Sequence, residues 1–218
     1  MNTIIIAGTD TGIGKTICSA MLMSVLKGTY FKPIQSGSKE DNDTLTVKQL
    51  SELSDEHFLK EKYLLTEPLS PHIAAETDGT AIKEENLTLP NEVAFKPLIV
   101  ELAGGLMVPV NRQTLYIDIL KKWDARVILC VRTGLGTINH ALLSIEALKA
   151  RNIDIMGIVF IGEENHDNKR TIIEFSGVKN LGSIPKMEKI NRVSLIDAFY
   201  DNFDVSSFEQ WTNDYAKL

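Results

Sequence analysis

Thr3-Ile4-Ile5-Ile6-Ala7-Gly8-Thr9-Asp10-Thr11-Gly12-Ile13-Gly14-Lys15-Thr16 joins a short apolar run to a glycine-rich turn that ends in Gly-Lys-Thr. The β-branched run over residues 3–7 reads as a buried strand. Residues 17–27, rich in Ala, Leu and Met, read as the helix behind the turn. Strand, loop and helix in that order aim backbone N–H groups and the positive end of a helix dipole at one spot, which is where an anion binds. Gly12 and Gly14 lack a Cβ and let the loop curl with positive φ. In this frame Lys15 reaches the β and γ phosphates of a nucleotide and the Thr16 hydroxyl sits on magnesium. The loop departs from the plain G-x-x-x-x-G-K-[ST] form, because Thr9 stands where the first glycine belongs and Gly8 comes one place earlier. The bland reading is a glycine turn with an incidental lysine; the strand before and the helix after favour phosphate binding.

Further strands are expected at residues 29–33, 96–101, 126–131, 155–161 and 180–184. Helical patterns separate them at 44–53, 115–123, up to 149, 168–176 and 193–203. Strands alternating with helices imply an α/β fold, P-loop NTPase-like, with a mostly parallel sheet covered by helices on both faces. Right-handed crossovers then gather the strand ends along one edge. Residues 54–95 read as polar and irregular, with a proline-containing turn at Glu67-Pro68-Leu69-Ser70-Pro71-His72. The chain of 218 residues, 44% hydrophobic, is expected to form a single domain over residues 1–218. A net charge of −6 argues against a protein that coats nucleic acid. No stretch approaches the roughly 20 apolar residues of a membrane span. The opening apolar run of about five residues, with no basic segment before it, is not a signal peptide. Cys18 and Cys130 read as buried small hydrophobes, which fits a reduced, cytoplasmic compartment.

Three charged residues outside the loop are candidates for the site. Lys32 stands at the exit of the second strand, followed by Ile34-Gln35-Ser36-Gly37-Ser38. Loops at strand C-termini are where open α/β sheets place ligands, so Lys32 is either a ligand contact or a solvated lysine. Asp43, before the pattern at 44–53, is most simply an N-cap and alternatively a metal ligand. Glu101 ends the apolar run Leu98-Ile99-Val100. An unpaired charge at a buried strand end is expensive, and a magnesium ion opposite it offsets that cost. The alternative is a surface strand terminus.

The motifs together resemble one family. GTDTGIGKT at 8–16, KPIQSGS at 32–38, SPH at 70–72, VELAGG at 100–105, GLGTINHA at 134–141 and GSIP at 182–185 are similar, in that order, to dethiobiotin synthetases. The resemblance spans residues 3 to 185 and fades in the tail. It implies an ATP-dependent ligase that closes a urea ring on 7,8-diaminononanoate with CO₂, releasing dethiobiotin, ADP and phosphate. It implies that Lys32 is the principal catalytic residue, with Lys15 beside it, and that Thr16, Asp43 and Glu101 form the Mg²⁺ site. It further implies that Thr11, Gly12, Ile13, Gly14, Ala103 and Gly104 line the phosphates. Ile161, Gly162 and Pro185 would flank the base, and Ser36 would bind the diamine or its carbamate. Leu135, Gly136, Thr137 and Asn139 would reach the substrate carboxylate across a homodimer interface.

Two positions depart from the family pattern. Gly12 stands where an acidic residue is common, which removes a side-chain contact. Ile161 stands where an Asn commonly reads the adenine edge, and isoleucine makes no such hydrogen bonds, so relaxed nucleotide preference is expected. A partition-type switch ATPase is the main alternative. Its signature lysine, five residues before the loop lysine, is replaced here by Asp10, and no basic amphipathic C-terminal helix is evident at 208–218. An amidotransferase-type ligase of cobalamin synthesis would need a further domain.

Overall fold

The computed structural model describes residues 2–38 and 42–212. The central strand β1 (Thr3–Gly8) shows why a parallel sheet forms. Ile5 and Ala7 enter one core layer, Ile4 and Ile6 the other, and all four are fully buried. A strand apolar on both faces must be covered on both faces. After it come α1 (Lys15–Leu26), β2 (Thr29–Phe31), β3 (Ile34–Gln35), α2 (Asp43–Ser51), β4 (Phe58–Leu59) and β5 (Tyr63–Leu64). Then follow α3 (Pro71–Thr77), β6 (Leu98–Glu101), α4 (Tyr116–Trp123) and β7 (Arg126–Arg132). The last part holds α5 (Thr137–Lys149), β8 (Ile155–Ile161), α6 (His166–Ser176), β9 (Asn180–Ile184), α7 (Arg192–Asn202) and the single turn α8 (Glu209–Thr212).

Seven strands make one sheet in the order β4-β2-β6-β1-β7-β8-β9, with every neighbouring pair parallel. Helices α1, α2 and α7 cover the face of Ile4, Ile6, Ile99 and Ile128. Helices α3, α4, α5 and α6 cover the face of Ile5, Val100, Val127 and Phe160. The expected α/β architecture is the one observed. Helix α1 is buried nearly all round, from Cys18 to Leu26, because the sheet, α2 and α7 all pack against it. The loop in front of α1 is therefore fixed to the buried core.

Residues 54–95 are more ordered than expected. β4 extends the main sheet beside β2, and β5 pairs in parallel with β3 in a separate two-stranded ribbon. The expected turn at 67–72 ends in a helix, with Pro71 as its first residue, where a missing N–H costs nothing. Within the charged run at 60–62, Lys60 and Lys62 are exposed, but Glu61 is half-buried and accepts a hydrogen bond from the Thr44 hydroxyl. The N-cap of α2 is Asn42, whose side chain accepts the Leu45 N–H at 3.0 Å, so Asp43 is the first helical residue and not the cap. Of the tail at 208–218, residues 213–218 lie outside the described residues. Among the described residues no helix is long and apolar enough to cross a membrane.

Candidate functional site

The parallel crossovers bring the C-terminal ends of β1, β2 and β6 to one edge of the sheet. Ile6 pairs with Glu101 and Phe31 with Val100, so the glycine loop, Lys32 and Glu101 become neighbours. The loop takes the expected shape: Gly12 has φ +65° and Gly14, at the N-cap of α1, has φ +99°. A Cβ on Gly14 would lie 2.9 Å from Ile161 Cγ2, so the loop lies too close to β8 for a larger residue. Ile13 turns its side chain into the core, leaving only its backbone for a ligand. The guanidinium of Arg132, at the end of β7, donates to the Thr11 carbonyl at 2.7 Å and lies 3.3 Å from Asp10 Oδ2. Asp10 Oδ1 in turn accepts the Thr11 N–H at 2.7 Å.

Lys15 is 6% exposed and donates to the Asp10 carbonyl at 2.9 Å. Burial holds its ammonium below the usual lysine value; the nearby Lys32 adds to the effect and Glu101 opposes it. Thr16 Oγ1 lies 2.6 Å from Asp43 Oδ1 and 3.0 Å from Glu101 Oε1. Lys32 Nζ lies 2.5 Å from Asp43 Oδ2 and 2.9 Å from Glu101 Oε1. Lys32 is 3% exposed and Glu101 1%, which removes both the solvated lysine and the surface strand terminus as alternatives. Burial works to lower the Lys32 ammonium, but the charges of Glu101 and Asp43 outweigh it and hold it above the usual value. Burial likewise works to raise Asp43, and Lys32 outweighs it, holding that carboxyl below its usual range.

These groups open onto a cleft of about 620 Å³. Thr11, Gly12, Gly14, Lys15, Thr16, Lys32, Ser36, Asp43, Glu101, Ala103 and Gly104 all line it. Ser36 Oγ is buried and has no hydrogen-bond partner among the described residues, so it is poised for a polar ligand. Thr16, Asp43 and Glu101 are a hard oxygen donor set of one hydroxyl and two carboxylates. That set suits magnesium shared with phosphates better than a closed protein cage. The residues present therefore fit a nucleotide with its cation.

The remaining expected residues lie elsewhere. Ile161, Gly162 and Pro185 are outside the cleft, at the adjacent ends of β8 and β9, with Ile161 against Gly14 and Gly162 N–H bonded to the Ile184 carbonyl at 3.0 Å. Leu135, Gly136, Thr137 and Asn139 sit where β7 passes into α5 and do not line the cleft of their own chain. The Leu135 side chain is fully exposed, whereas the Thr137 hydroxyl is spent on the Arg132 carbonyl at 2.6 Å. The sequence reading missed Arg132, the Pro68-Leu69-Ser70-Pro71 wall of the cleft, and Ser19 and Tyr30, whose hydroxyls reach Glu101 Oε2 at 2.8 and 3.0 Å. Only the wall carried a signal, the SPH motif.

Residues 2–194 match a family model described as an AAA domain. A protein of Rhodopseudomonas palustris named ATP-dependent dethiobiotin synthetase BioD is 50% identical over 205 residues, 94% of this chain and 96% of its own length. Proteins of the same name from Nitrobacter hamburgensis and Brucella anthropi are 49% and 48% identical, each over 94% of this chain and 96% of their own length. Among solved structures, a ParA family ATPase from Chlorobium tepidum superposes with TM-score 0.55 at 13% identity, covering 100% of this chain and 99% of that one. The septum site-determining protein MinD complexed with Mg-ADP from Pyrococcus horikoshii superposes with TM-score 0.53 at 12% identity, covering 99% and 98%. Those two likenesses show a shared P-loop fold. Sequence identity near one half across almost the whole length is a stronger tie: the chain belongs to the dethiobiotin synthetase family.

Proposed function

We propose that the protein is an ATP-dependent dethiobiotin synthase: it closes a cyclic urea on 7,8-diaminononanoate with CO₂, giving dethiobiotin, ADP and phosphate. The observation that carries this reading is the pairing of two lysines in one cleft. Lys15 comes from the phosphate loop and Lys32 from the end of the next strand, beside the Thr16, Asp43 and Glu101 oxygens. One amine of the substrate adds CO₂ and loses a proton, forming a carbamate. A carbamate oxygen then attacks the γ-phosphate and ADP leaves. The second amine attacks the carbonyl carbon, expels phosphate and loses its proton to close the ring.

Two anions must meet in the middle step, so the site has to supply fixed positive charge. Lys32 is suited to that role as a charge and not as a base, because its carboxylate neighbours keep it protonated. Lys15 and the loop N–H groups of Gly12, Ile13 and Gly14 hold the phosphates, and Ser36 offers a hydroxyl to the diamine or carbamate. Thr16, Asp43 and Glu101 would hold Mg²⁺, which offsets phosphate charge when bound. The exposed Leu135 and the neighbouring Gly136 and Asn139, unused by their own cleft, support a homodimer in which one chain completes the other's substrate site. A cytoplasmic location, with no nucleic-acid or membrane partner, accords with this chemistry.

Phosphate release from ATP should require the diamine and bicarbonate together. Release from ATP alone at a comparable rate would favour the partition-type switch reading, which otherwise rests on the fold. Sedimentation at micromolar concentration should give twice the monomer mass, and a monomer that turns over would remove the shared-site proposal.

A further inference from the structure

Glu101 has two carboxylate oxygens in different surroundings. Oε1 faces the cleft, with Thr16 Oγ1 at 3.0 Å and Lys32 Nζ at 2.9 Å. Oε2 faces inward and accepts the Ser19 hydroxyl at 2.8 Å and the Tyr30 hydroxyl at 3.0 Å. Ser19 and Tyr30 are both fully buried and come from different elements, α1 and β2. The Tyr30 ring is held in the core against Phe58, with centroids 6.0 Å apart. Neither hydroxyl can swing away without leaving a buried polar group unpaired, which is costly. The carboxylate plane is thus locked by two donors on one oxygen.

From this we infer that Ser19 and Tyr30 are positioning residues that restrict Glu101 to offering a single oxygen toward the cleft, and that they set which divalent cation the site prefers. The inference rests on the proposed nucleotide-and-cation reading of the cleft. A carboxylate unable to turn both oxygens to a cation favours small ions with strict octahedral demands, such as Mg²⁺ and Mn²⁺. It disfavours Ca²⁺, which takes more oxygens and often a bidentate carboxylate. Releasing Oε2 should loosen that discrimination, because partners behind metal ligands typically govern about 10–100-fold in affinity.

The test uses Tyr30→Phe and Ser19→Ala in the full chain, with Mn²⁺ as the probe. Mn²⁺ binding in the presence of ATP is read by electron paramagnetic resonance, Ca²⁺ competition is read in the same samples, and ATP binding in chelator is read separately. Both variants are expected to bind Mn²⁺ about tenfold or more weakly. Ca²⁺ should displace Mn²⁺ from them at a lower ratio than from wild type, while ATP binding in chelator stays within twofold. Wild-type Mn²⁺ affinity and wild-type Ca²⁺ competition in both variants would overturn the positioning role alone. So would an equal loss of ATP binding in chelator, which marks a general structural defect. A wild-type protein that binds no Mn²⁺ with ATP would overturn the proposed function itself, and this inference with it.

Discussion

Replacing Lys32 by Met keeps an unbranched apolar stem of nearly the same length and removes the ammonium. In the native site that ammonium lies 2.5 Å from Asp43 Oδ2 and 2.9 Å from Glu101 Oε1. Glu101 is 1% exposed, so it would face the Asp43 carboxylate from the protein interior with no cation between them. Breaking a buried pair by removing one partner costs about 3–5 kcal/mol. Asp43, with 21% of its side chain exposed, can turn part of its charge to water, which favours the lower end, about 3 kcal/mol. For a chain of this size each kcal/mol moves the midpoint by about 2–4 °C, so Lys32→Met should melt roughly 6–12 °C below wild type. The assay is urea and thermal unfolding in chelator at neutral pH.

The pH dependence follows from the direction of the two shifts. Asp43 is held below its usual value, so its contribution is present above 3.8 and is lost as pH falls through the still lower folded value. Lys32 is held above its usual value, so its contribution is full below 10.5 and is lost as pH rises through the higher folded value. The pair's contribution to wild-type stability should therefore be full between these limits and fall below 3.8 and again above 10.5. A variant within about 1 kcal/mol of wild type at neutral pH would refute the reasoning, since it would mean that water screens the pair as it does at a surface. A stability gap between wild type and variant that stays constant into acid would do the same.

The other predictions concern function more directly. Lys32→Ala should still bind nucleotide in calorimetry but lose turnover, and a near wild-type rate would remove Lys32 from the mechanism. Glu101→Gln should raise the magnesium concentration needed for half-maximal rate and lower the maximum; an unchanged magnesium titration would return Glu101 to a structural role. Gly14→Ala places a Cβ 2.9 Å from Ile161 Cγ2 at φ +99°, so it should lose about 1–2 kcal/mol of stability and weaken nucleotide binding. Nucleotide affinity equal to wild type in that variant would show that the loop can reshape freely. With Ile161 where an adenine-reading residue is expected, kcat/KM should be comparable for ATP, GTP and CTP, and a large preference for ATP would contradict that assignment.

What could be read from the sequence was what depends on neighbours in the chain. The strand, glycine turn and Gly-Lys-Thr of residues 3–16 carry their geometry within a few residues, and the structure reproduces it. The strands β4 and β5 are two residues each, too short to show any alternation, and Pro71 reads as a breaker although it opens a helix. Asp43 was ambiguous because Asn42 beside it can cap just as well; what separates them is that Asp43 meets Thr16 and Lys32 in space. Ser19 and Tyr30 could not be found at all, since they lie 82 and 71 residues from Glu101 and read as ordinary core positions, and Arg132 acts on Thr11 across 121.

The proposed cation end is built from α1, α2, β2 and β6, packed in one sheet-and-helix core, so it can be tested in a single chain. The segment carrying Leu135 and Asn139 stands exposed beyond β7 and, among the described residues, does not line the cleft that holds Lys15 and Lys32. Phosphate chemistry should therefore survive dilution to monomer as nucleotide and Mn²⁺ binding, whereas affinity for the diamine should fall with protein concentration. Diamine affinity that is independent of concentration, in protein shown to be monomeric, would place the whole substrate site within one chain.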